Sequence, residues 1–282
     1  MAATRFWLCA DDYGISRAVD HGIRDLISRG RINATSVMVA APAFDAAEAA
    51  ALKRLRDAGR AAVGLHITLT APFSPLTRDF APTGRGFFLP LAALLAAALA
   101  RRLDGDKLRR EIDAQLAAFA GAFGTPPDFV DGHQHVQLFP QIRDAALDAV
   151  ARHAPNTWVR QCGRAPARLV NRLADRKGLL LDVLSVAFRR RAQRRGLRTN
   201  PAFAGTYDFD SGTAFADLFP AFLDHLPEDG VVMCHPGFVD DALRALDPVT
   251  ARREEEFAYF SGEAFPALLA ARGVGLAQSW PI

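Results

Sequence analysis

The sequence predicts an α/β protein built around a parallel sheet, which is either closed into a barrel or open. Short apolar runs typical of strands alternate along the chain with longer segments typical of helices. The chain has 282 residues, half of them hydrophobic, and its sequence contains neither an internal repeat nor a clear linker. One large core and a single domain over residues 1–282 are therefore expected.

The first half of the chain supplies three strands with helical segments between them. The run RFWLCA at residues 5–10 predicts a strand, and Ser16 is the expected N-cap of the helix that follows it. Two more strands are expected at residues 32–41 and 61–70. A Pro/Gly-rich loop and an Ala/Leu-rich helix then occupy residues 71–100, which are long enough to serve as a lid or insert.

The second half of the chain continues the alternation. Strands are expected within DFVDGHQHV (128–136), TWVRQC (157–162) and GVVMCHPGF (230–238). Residues 164–210 form a variable region whose pattern we do not assign. Because chemistry in parallel sheets gathers at the carboxyl ends of the strands, polar residues that end these strands are candidate site residues.

Composition and charge narrow the class of protein. The net charge of +3 gives no reason to expect a nucleic-acid partner. The basic run FRRRAQRRGLR (188–198) is either a solvated helix face or a contact for an anionic surface such as lipid headgroups. Cys9, Cys162 and Cys234 lie in apolar runs without metal-site spacing, which is typical of a reducing compartment. With no signal-peptide pattern at the N-terminus, a cytoplasmic protein is expected.

Four predicted strand ends carry titratable residues. They are Asp11 and Asp12 in the first, His66 in the third, Asp131, His133 and His135 in the fourth, and His235 in the last. A single histidine of this kind is more often a buried residue satisfied by hydrogen bonds, but four of the seven histidines at strand ends are harder to explain that way. Alternation along a strand places His133 and His135 on the face of Asp131. By the same rule His66 shares a face with Thr68.

These residue types can hold a divalent cation. One carboxylate and two neutral imidazoles leave coordination positions open for water and substrate. A metal would also relieve the repulsion between Asp11 and Asp12. Because adjacent strand residues point to opposite faces, one aspartate is expected as a ligand and the other as a general base, and the spacing leaves open which is which. Zinc, manganese, cobalt, nickel or iron would suit these donors, and magnesium (Mg), which prefers oxygen, ranks lower.

The segment CHPGF places His235 before Pro236 and Gly237 at the end of a late strand. A stiff turn of this kind would hold an imidazole at the mouth of a site, as a proton donor to a leaving group requires. On this stretch alone, a histidine that caps the turn through hydrogen bonds is an equally good interpretation.

Five segments resemble the YdjC-type carbohydrate deacetylases, the family that includes chitooligosaccharide deacetylases (ChbG) and the hopanoid-associated HpnK proteins. The segments are CADDYGIS, INATSVMV, VGLHITLT, DFVDGHQHVQLFPQI and MCHPGF, and their order and spacing match over nearly the whole chain. The resemblance implies a distorted (β/α) barrel with mostly parallel strands. It also implies a hydrolase that removes acetyl groups from N-acetylated amino sugars with one divalent metal ion.

Carried over by position, the resemblance gives a role to each motif residue. Asp11 is the expected general base, and His235 is the expected donor of a proton to the departing amine. Asp12, His66 and His133 are the expected metal ligands.

Four further residues are expected to contact substrate or to support the ligands. The resemblance implies that Asp131 orients an imidazole through its ring N–H. His135 would face the substrate or, as an alternative to His133, act as the third ligand. Tyr13 and Thr68 complete this set.

The sugar and its carrier stay open at this point. Many relatives have a further histidine where this chain has Gln137, and if this position touches substrate, the specificity should differ from that of the chitobiose enzymes. A soluble oligosaccharide competes with a lipid- or nucleotide-linked sugar, and the basic run makes a membrane-surface contact conceivable. A homodimer is also conceivable. Two other functions compete: a carbohydrate-binding sensor on the same scaffold, and another metal hydrolase such as a phosphoesterase, which usually assembles two metals.

Overall fold

A computed structural model describes residues 4–78, 80, 85–165 and 176–278. The strands are β1 (Thr4–Tyr13), β2 (Ala34–Val37), β3 (Ala62–Ile67), β4 (Phe129–Gly132), β5 (Trp158–Val159), β6 (Phe203–Ala204), β7 (Gly230–Cys234) and β8 (Val274–Leu276). The helices are α1 (Arg17–Ser28), α2 (Ala46–Asp57), α3 (Leu91–Leu99), α4 (Gly105–Phe123), α5 (Ile142–His153), α6 (Arg176–Arg194), α7 (Phe215–Phe222), α8 (Asp241–Leu246), α9 (Ala251–Ser261) and α10 (Ala264–Arg272).

The strands form one sheet in the order β5-β4-β3-β2-β1-β7-β6, and β8 pairs with the start of β1. Every pairing between these strands is parallel. Within the described residues β5 and β6 are the two edges and do not pair with each other, so the curled sheet is not fully closed. The prediction of a distorted (β/α) barrel with mostly parallel strands is confirmed.

The strand β1 lies at the centre of the sheet because it is apolar on both faces. Residues 6–10 are buried, and they pair with β2 on one side and with β7 on the other. Strands covered on both faces read as continuous apolar runs, which explains the segment RFWLCA. The expected cap of the next helix is present, since Ser16 Oγ accepts a hydrogen bond from the backbone N–H of Val19.

The strand β4 is shorter than predicted, and the expected strand over residues 128–136 is wrong. The strand ends at Gly132, and His133–Leu138 form a short 3-10 turn. Gln134 and His135 have φ angles of 54° and 62°, which no strand residue adopts. The turn packs directly on the strand end, because a Cβ atom at Gly132 would lie 2.8 Å from the side-chain oxygen of Gln137.

The expected lid and the variable region are partly described. Residues 79, 81–84 and 166–175 lie outside the described residues. The described part of the lid is fastened to α4, since the Glu111 carboxylate accepts hydrogen bonds from the backbone N–H groups of Leu76 and Thr77 at 3.1 and 2.8 Å. No helix in the part of the chain that the structure describes is both long and apolar enough to cross a membrane.

Candidate active site

Asp11 and Asp12 both line one cavity of about 200 Å³, to which the strand ends of β3 and β7 also contribute. The alternation expected for adjacent strand residues is wrong here. Asp12 has a φ of 70°, and the register of β1 against β2 shifts between Ala10 and Tyr13. A bulge of this kind re-aims a side chain at the end of a strand. Two consecutive carboxylates therefore reach the same site.

Asp12, His66 and His133 form the candidate metal centre. The Asp12 Oδ1 atom lies 2.9 Å from His133 Nδ1 and 3.3 Å from His66 Nε2. Ligand atoms of the three buried residues all lie within 4.8 Å of one another. One carboxylate oxygen and two imidazole nitrogens are donor types that divalent zinc and its neighbours accept, so these residues fit a single divalent cation.

The imidazole of His66 is held in place by contacts at its Nδ1 atom. Its Nδ1 atom lies 2.6 Å from Asp131 Oδ1 and 3.0 Å from Ser36 Oγ. Burial opposes a charge on His66, but the carboxylates of Asp131 and Asp11 outweigh it and raise the pKa of His66 to about 10. The contact with Asp131 fixes the ring so that Nε2 faces Asp12, which is the orienting contact expected of Asp131.

Asp11 is held by a buried arginine that the sequence analysis did not single out. Arg160 Nη1 and Nη2 lie 2.7 and 2.6 Å from Asp11 Oδ1 and Oδ2. Burial by itself would raise the pKa of Asp11, but the guanidinium outweighs it and holds this pKa well below its usual range. Asp11 is therefore ionised and fixed in orientation.

A second group of ligand-type side chains lies beside the first but is already neutralised. Cys9, Asp11 and Asp131 offer ligand atoms within 4.8 Å of one another. The Arg160 guanidinium contacts both carboxylates, with Nη1 also 2.7 Å from Asp131 Oδ2. A cation there would be repelled by the arginine. Among the described residues, the group around Asp12 is therefore the better candidate for a metal centre.

A second buried arginine, Arg253, contacts the Oδ2 atom of Asp12. Arg253 Nη2 lies 2.6 Å from Asp12 Oδ2 and 2.7 Å from Asp247 Oδ2, and Arg253 is fully buried. Each of the two neighbouring aspartates is thus paired with a different arginine. The pairing leaves Asp12 Oδ1 to face the two imidazoles.

His235 lies at the end of β7 and lines the same cavity, partly exposed. Burial lowers the pKa of His235 to about 4, and the Arg253 guanidinium acts in the same direction against the aspartates. The imidazole is therefore neutral near neutral pH in this structure, whereas the sequence analysis expected a proton donor. Its backbone N–H donates to Glu256 Oε2 at 2.5 Å, and Tyr207 donates to Glu256 Oε1 at 2.6 Å.

The loop after β6 forms an aromatic wall beside His235. The ring of Phe209 contacts the imidazole of His235 edge to face at 5.4 Å between centroids. Arg252 of α9 holds this loop through the carbonyl oxygen of Phe209 at 2.9 Å. The loop can lie this close to β7 because residue 205 is glycine: its φ is 100°, and a Cβ atom would lie 2.1 Å from the carbonyl oxygen of Met233.

The structure places the remaining expected residues as follows. His135 lines the cavity, but its Nδ1 atom lies 3.4 Å from Cys162 Sγ, and it does not belong to the ligand group. The hydroxyl of Tyr13 donates to Glu48 Oε2 at 2.8 Å, among the helices α1 and α2. Thr68 Oγ1 donates to the carbonyl oxygen of His66 at 3.0 Å. The structure thus brings neither Tyr13 nor Thr68 to the cavity.

Sequence reasoning missed Arg160, Arg253 and Glu256. Arg160 follows the apolar pair of β5 in TWVRQC, so a charged residue at a strand end was a signal that could have found it. Arg253 and Glu256 lie in the charged run ARREEE of α9, which reads as an exposed helix face. Their burial follows from the packing of α9, and no local pattern indicates it.

Parallel strands alternating with helices, together with a buried carboxylate–imidazole cluster at the strand ends, define a (β/α) barrel protein with a candidate metal centre. The chain belongs to the YdjC-like family, because the family model described as YdjC-like protein matches residues 5–271. It is 30% identical to a chitooligosaccharide deacetylase of Citrobacter koseri over 238 residues, covering 83% of this chain and 82% of that protein. A chitooligosaccharide deacetylase of Proteus mirabilis is also 30% identical, over 244 residues and the same shares.

Solved structures show the same fold. A protein of Enterococcus faecalis V583, named after a proposed cleavage of cellobiose-phosphate, superposes with a TM-score of 0.75 at 21% identity, covering 98% of this chain and 97% of that one. A lactam utilization protein of Thermus thermophilus has a TM-score of 0.51 at 15% identity, covering 99% and 100%. At these identities the likeness concerns the fold alone.

Proposed function

We propose that this protein is a metal-dependent carbohydrate deacetylase that hydrolyses the acetamide of an N-acetylated amino sugar. One observation carries the proposal. The candidate ligands Asp12, His66 and His133 share a cavity with Asp11 and His235, a carboxylate and an imidazole suited to general base and general acid work. The relatives named chitooligosaccharide deacetylase support a sugar amide as the substrate class.

Asp12, His66 and His133 would hold one divalent cation, and their nitrogen donors favour zinc, manganese, cobalt or nickel over magnesium. A cation bound there would supply Lewis-acid chemistry, which polarises a carbonyl oxygen and lowers the pKa of water. Arg253 holds the second carboxylate oxygen of Asp12, and Asp131 keeps the Nε2 atom of His66 directed at Asp12. These contacts preorganise the three donors.

Asp11 accepts the proton of the attacking water in this proposal. Because Arg160 grips both of its oxygens, the carboxylate neither rotates nor loses its charge over the ordinary pH range. The low pKa makes it a weak base, and the proton it takes is therefore readily passed on. Arg160 is a positioning residue, since it acts through Asp11.

His235 delivers a proton to the departing amine in this proposal. It is neutral in the free protein, with a pKa lowered to about 4. Negative charge that develops on a neighbouring substrate oxygen raises the pKa of an imidazole, so His235 would gain its proton in the complex. The hydrogen bond from its backbone N–H to Glu256 fixes the position from which it donates.

The size and lining of the cavity indicate that it holds only a small part of a substrate. A volume of about 200 Å³ lies below the range of roughly 300–1,000 Å³ usual for ligand pockets. Apolar side chains complete the wall, namely Leu91, Phe209, Met233, Pro248 and Val249. We infer that one acetylated sugar unit enters and that the rest of the molecule stays outside.

Acetate release tests the proposal. Chelator-treated protein would be assayed with a panel of N-acetylated amino sugars and oligosaccharides, before and after single divalent metals are restored. Release that depends on metal and is lost in His133→Ala supports the deacetylase. Stoichiometric metal binding without acetate release from any sugar, together with retention of a sugar by the protein, would favour a carbohydrate-binding protein instead. Two metals per chain and release of phosphate would favour a phosphoesterase.

A further inference from the structure

The exposed large apolar side chains of the described residues concentrate in two segments. Four lie in the lid segment and α3, and four lie on α6: Leu76, Phe87, Leu91, Leu99, Leu179, Leu180, Val183 and Val186. Val183 is 61% exposed and Leu99 is 57% exposed. Scattered exposed apolar residues are ordinary, but a grouped set marks an interaction surface.

The apolar residues of α6 form a stripe that continues into arginines. Leu179, Val183, Val186 and Arg190 follow one another at spacings of four, three and four, which places them on one face of the helix, and Arg194 continues the row. Arg190 and Arg194 are exposed. We call this face the α6 stripe. No acidic residue occupies any of its positions.

The inner side of the helix that carries the α6 stripe is connected to the candidate active site through two contacts. On the inner side of the same helix, Ser185 Oγ accepts a hydrogen bond from the backbone N–H of Cys162 at 3.0 Å. Cys162 Sγ in turn lies 3.4 Å from His135 Nδ1, and His135 lines the cavity. Leu91 of α3, which is 37% exposed, lines the same cavity. The α3 segment therefore reaches the cavity, whereas α6 is connected to it only through the contacts of Cys162.

Further arginines lie beside the α6 stripe, two of them paired with carboxylates of α5. Arg191 and Arg195 extend to α5, where they lie 2.8 and 2.7 Å from the carboxylates of Asp144 and Asp148. Burial lowers the pKa of Arg143 against the opposing effect of the Asp144 carboxylate, and repulsion from neighbouring arginines, Arg191 first among them, acts in the same direction as burial. The end of α3, α5 and α6 thus bring several guanidinium groups within electrostatic reach of one another.

We propose that the α6 stripe docks on an anionic lipid surface, with its three apolar side chains at the boundary of the acyl chains and its two arginines on the phosphates. Apolar side chains beside exposed arginines on one helix face are the combination that binds such surfaces. Docking would bring the cavity near the bilayer, where an acetylated sugar carried by a lipid could enter it. This consequence for the substrate rests on the proposed function, whereas the docking itself does not.

A second copy of this chain is the less favoured occupant of the stripe. A symmetric dimer through α6 would bring Arg190 and Arg194 of both copies into one interface. Four guanidinium groups gathered in one interface oppose association, and the stripe offers no acidic partner for them. An anionic surface satisfies the apolar and the basic residues together.

Vesicle flotation of the full chain tests this proposal. The probes are vesicles of phosphatidylcholine alone and of phosphatidylcholine with phosphatidylglycerol, at low and at high salt. We expect binding only to the vesicles that contain phosphatidylglycerol, weakened by salt. Val183→Asp with Val186→Asp should weaken binding about tenfold or more, since two apolar contacts are lost. Arg190→Glu with Arg194→Glu should do the same, since two basic contacts are reversed.

The matched control for the arginine variant is Arg54→Glu with Arg60→Glu, which makes the same change of charge at the end of α2 and just beyond it. This control should bind vesicles like the unchanged protein. Circular dichroism melting shows that each variant is folded. Equal vesicle binding by the unchanged protein and both stripe variants, or no binding to anionic vesicles at low salt, would overturn the proposal. Sedimentation would also overturn the proposal if the unchanged protein and the control variant were dimers and both stripe variants were monomers. Acetate release from a soluble sugar is measured in parallel, so that a failure of docking and a failure of the deacetylase are seen separately.

Discussion

Asp11 and Arg160 form a two-point ion pair with N–O distances of 2.7 and 2.6 Å, and both residues are 1% exposed. A planar guanidinium matches a carboxylate with two parallel hydrogen bonds, which fixes orientation as well as charge. In a buried site this pairing also keeps the carboxylate ionised. The geometry of the proposed base therefore depends on a residue 149 positions away in the chain.

Arg160→Lys should separate charge from geometry at this pair. Lysine keeps the positive charge but cannot make the two-point contact, so Asp11 becomes mispositioned and turnover should fall about a hundredfold. The acid limb of the pH–rate profile should move to higher pH, because a weaker partner lets the pKa of Asp11 rise. Isothermal titration should still show one bound metal. Reduced turnover with an unmoved acid limb would contradict a role through Asp11.

Exchanging each aspartate for asparagine should distinguish base from ligand. Asp11→Asn should keep the metal and lose about two to four orders of magnitude in turnover, the range for general acid–base groups. Asp12→Asn should lose the metal and the activity together, because the carboxylate donor is gone. Metal content by mass spectrometry and acetate release are measured on both, with Asp241→Asn at a fully exposed acid as the control. The reverse pattern of metal retention would exchange the two roles.

Arg253→Met should strengthen metal binding while it lowers activity. The substitution removes a cation 2.6 Å from Asp12 Oδ2, so that Asp247 loses its ion pair with Arg253 and Asp12 keeps its imidazole contacts at Oδ1. An uncompensated buried charge costs about 3–5 kcal/mol of folding stability. A divalent cation would offset part of this cost, so the rise in melting temperature on metal addition should exceed that of the unchanged protein. Arg244→Met, at an exposed arginine, should behave like the unchanged protein. An equal or smaller rise in Arg253→Met would argue against competition between Arg253 and the metal.

Asp20, which has no role in the proposed reaction, should make stability depend on pH. Its side chain is fully buried on α1 and accepts a hydrogen bond from the Gly14 backbone N–H, and burial raises its pKa from 3.8 to about 7. The folded state therefore holds a proton that the unfolded state has already released. The contribution of Asp20 to the free energy of unfolding therefore decreases as pH rises from about 4 to about 7. Above about pH 7 this contribution no longer changes.

Asp20→Asn should remove this dependence, because asparagine keeps an acceptor for Gly14 and does not ionise. The difference in unfolding free energy between variant and unchanged protein should grow by up to about 4 kcal/mol from acid to neutral pH, in favour of the variant. Urea unfolding at several pH values measures it. Parallel pH curves for the two proteins would show that Asp20 does not titrate in this window.

The alternation of strands and helices was predictable from the sequence, because burial of a parallel strand on both faces leaves a local apolar run. The strand ends that carry Asp11, Asp12, His66 and His235 followed from the same pattern. The extent of β4 could not be predicted from this pattern. Val130 and Val136 both suit a strand, and the turn from His133 onward depends on Gln137 packing against Gly132, which is a contact outside local propensity.

What the sequence by itself determined was the fold class and the residue types of the site, since periodicity and strand-end chemistry are local properties. The tertiary structure decided how these residues are used. A bulge at Asp12 turned two neighbouring carboxylates toward one cavity. Arg160 and Arg253 reach those carboxylates across 149 and 241 residues of chain. Such ion pairs form because burial makes an unpaired charge costly, and the partner that a charge finds depends on packing rather than on any spacing along the chain.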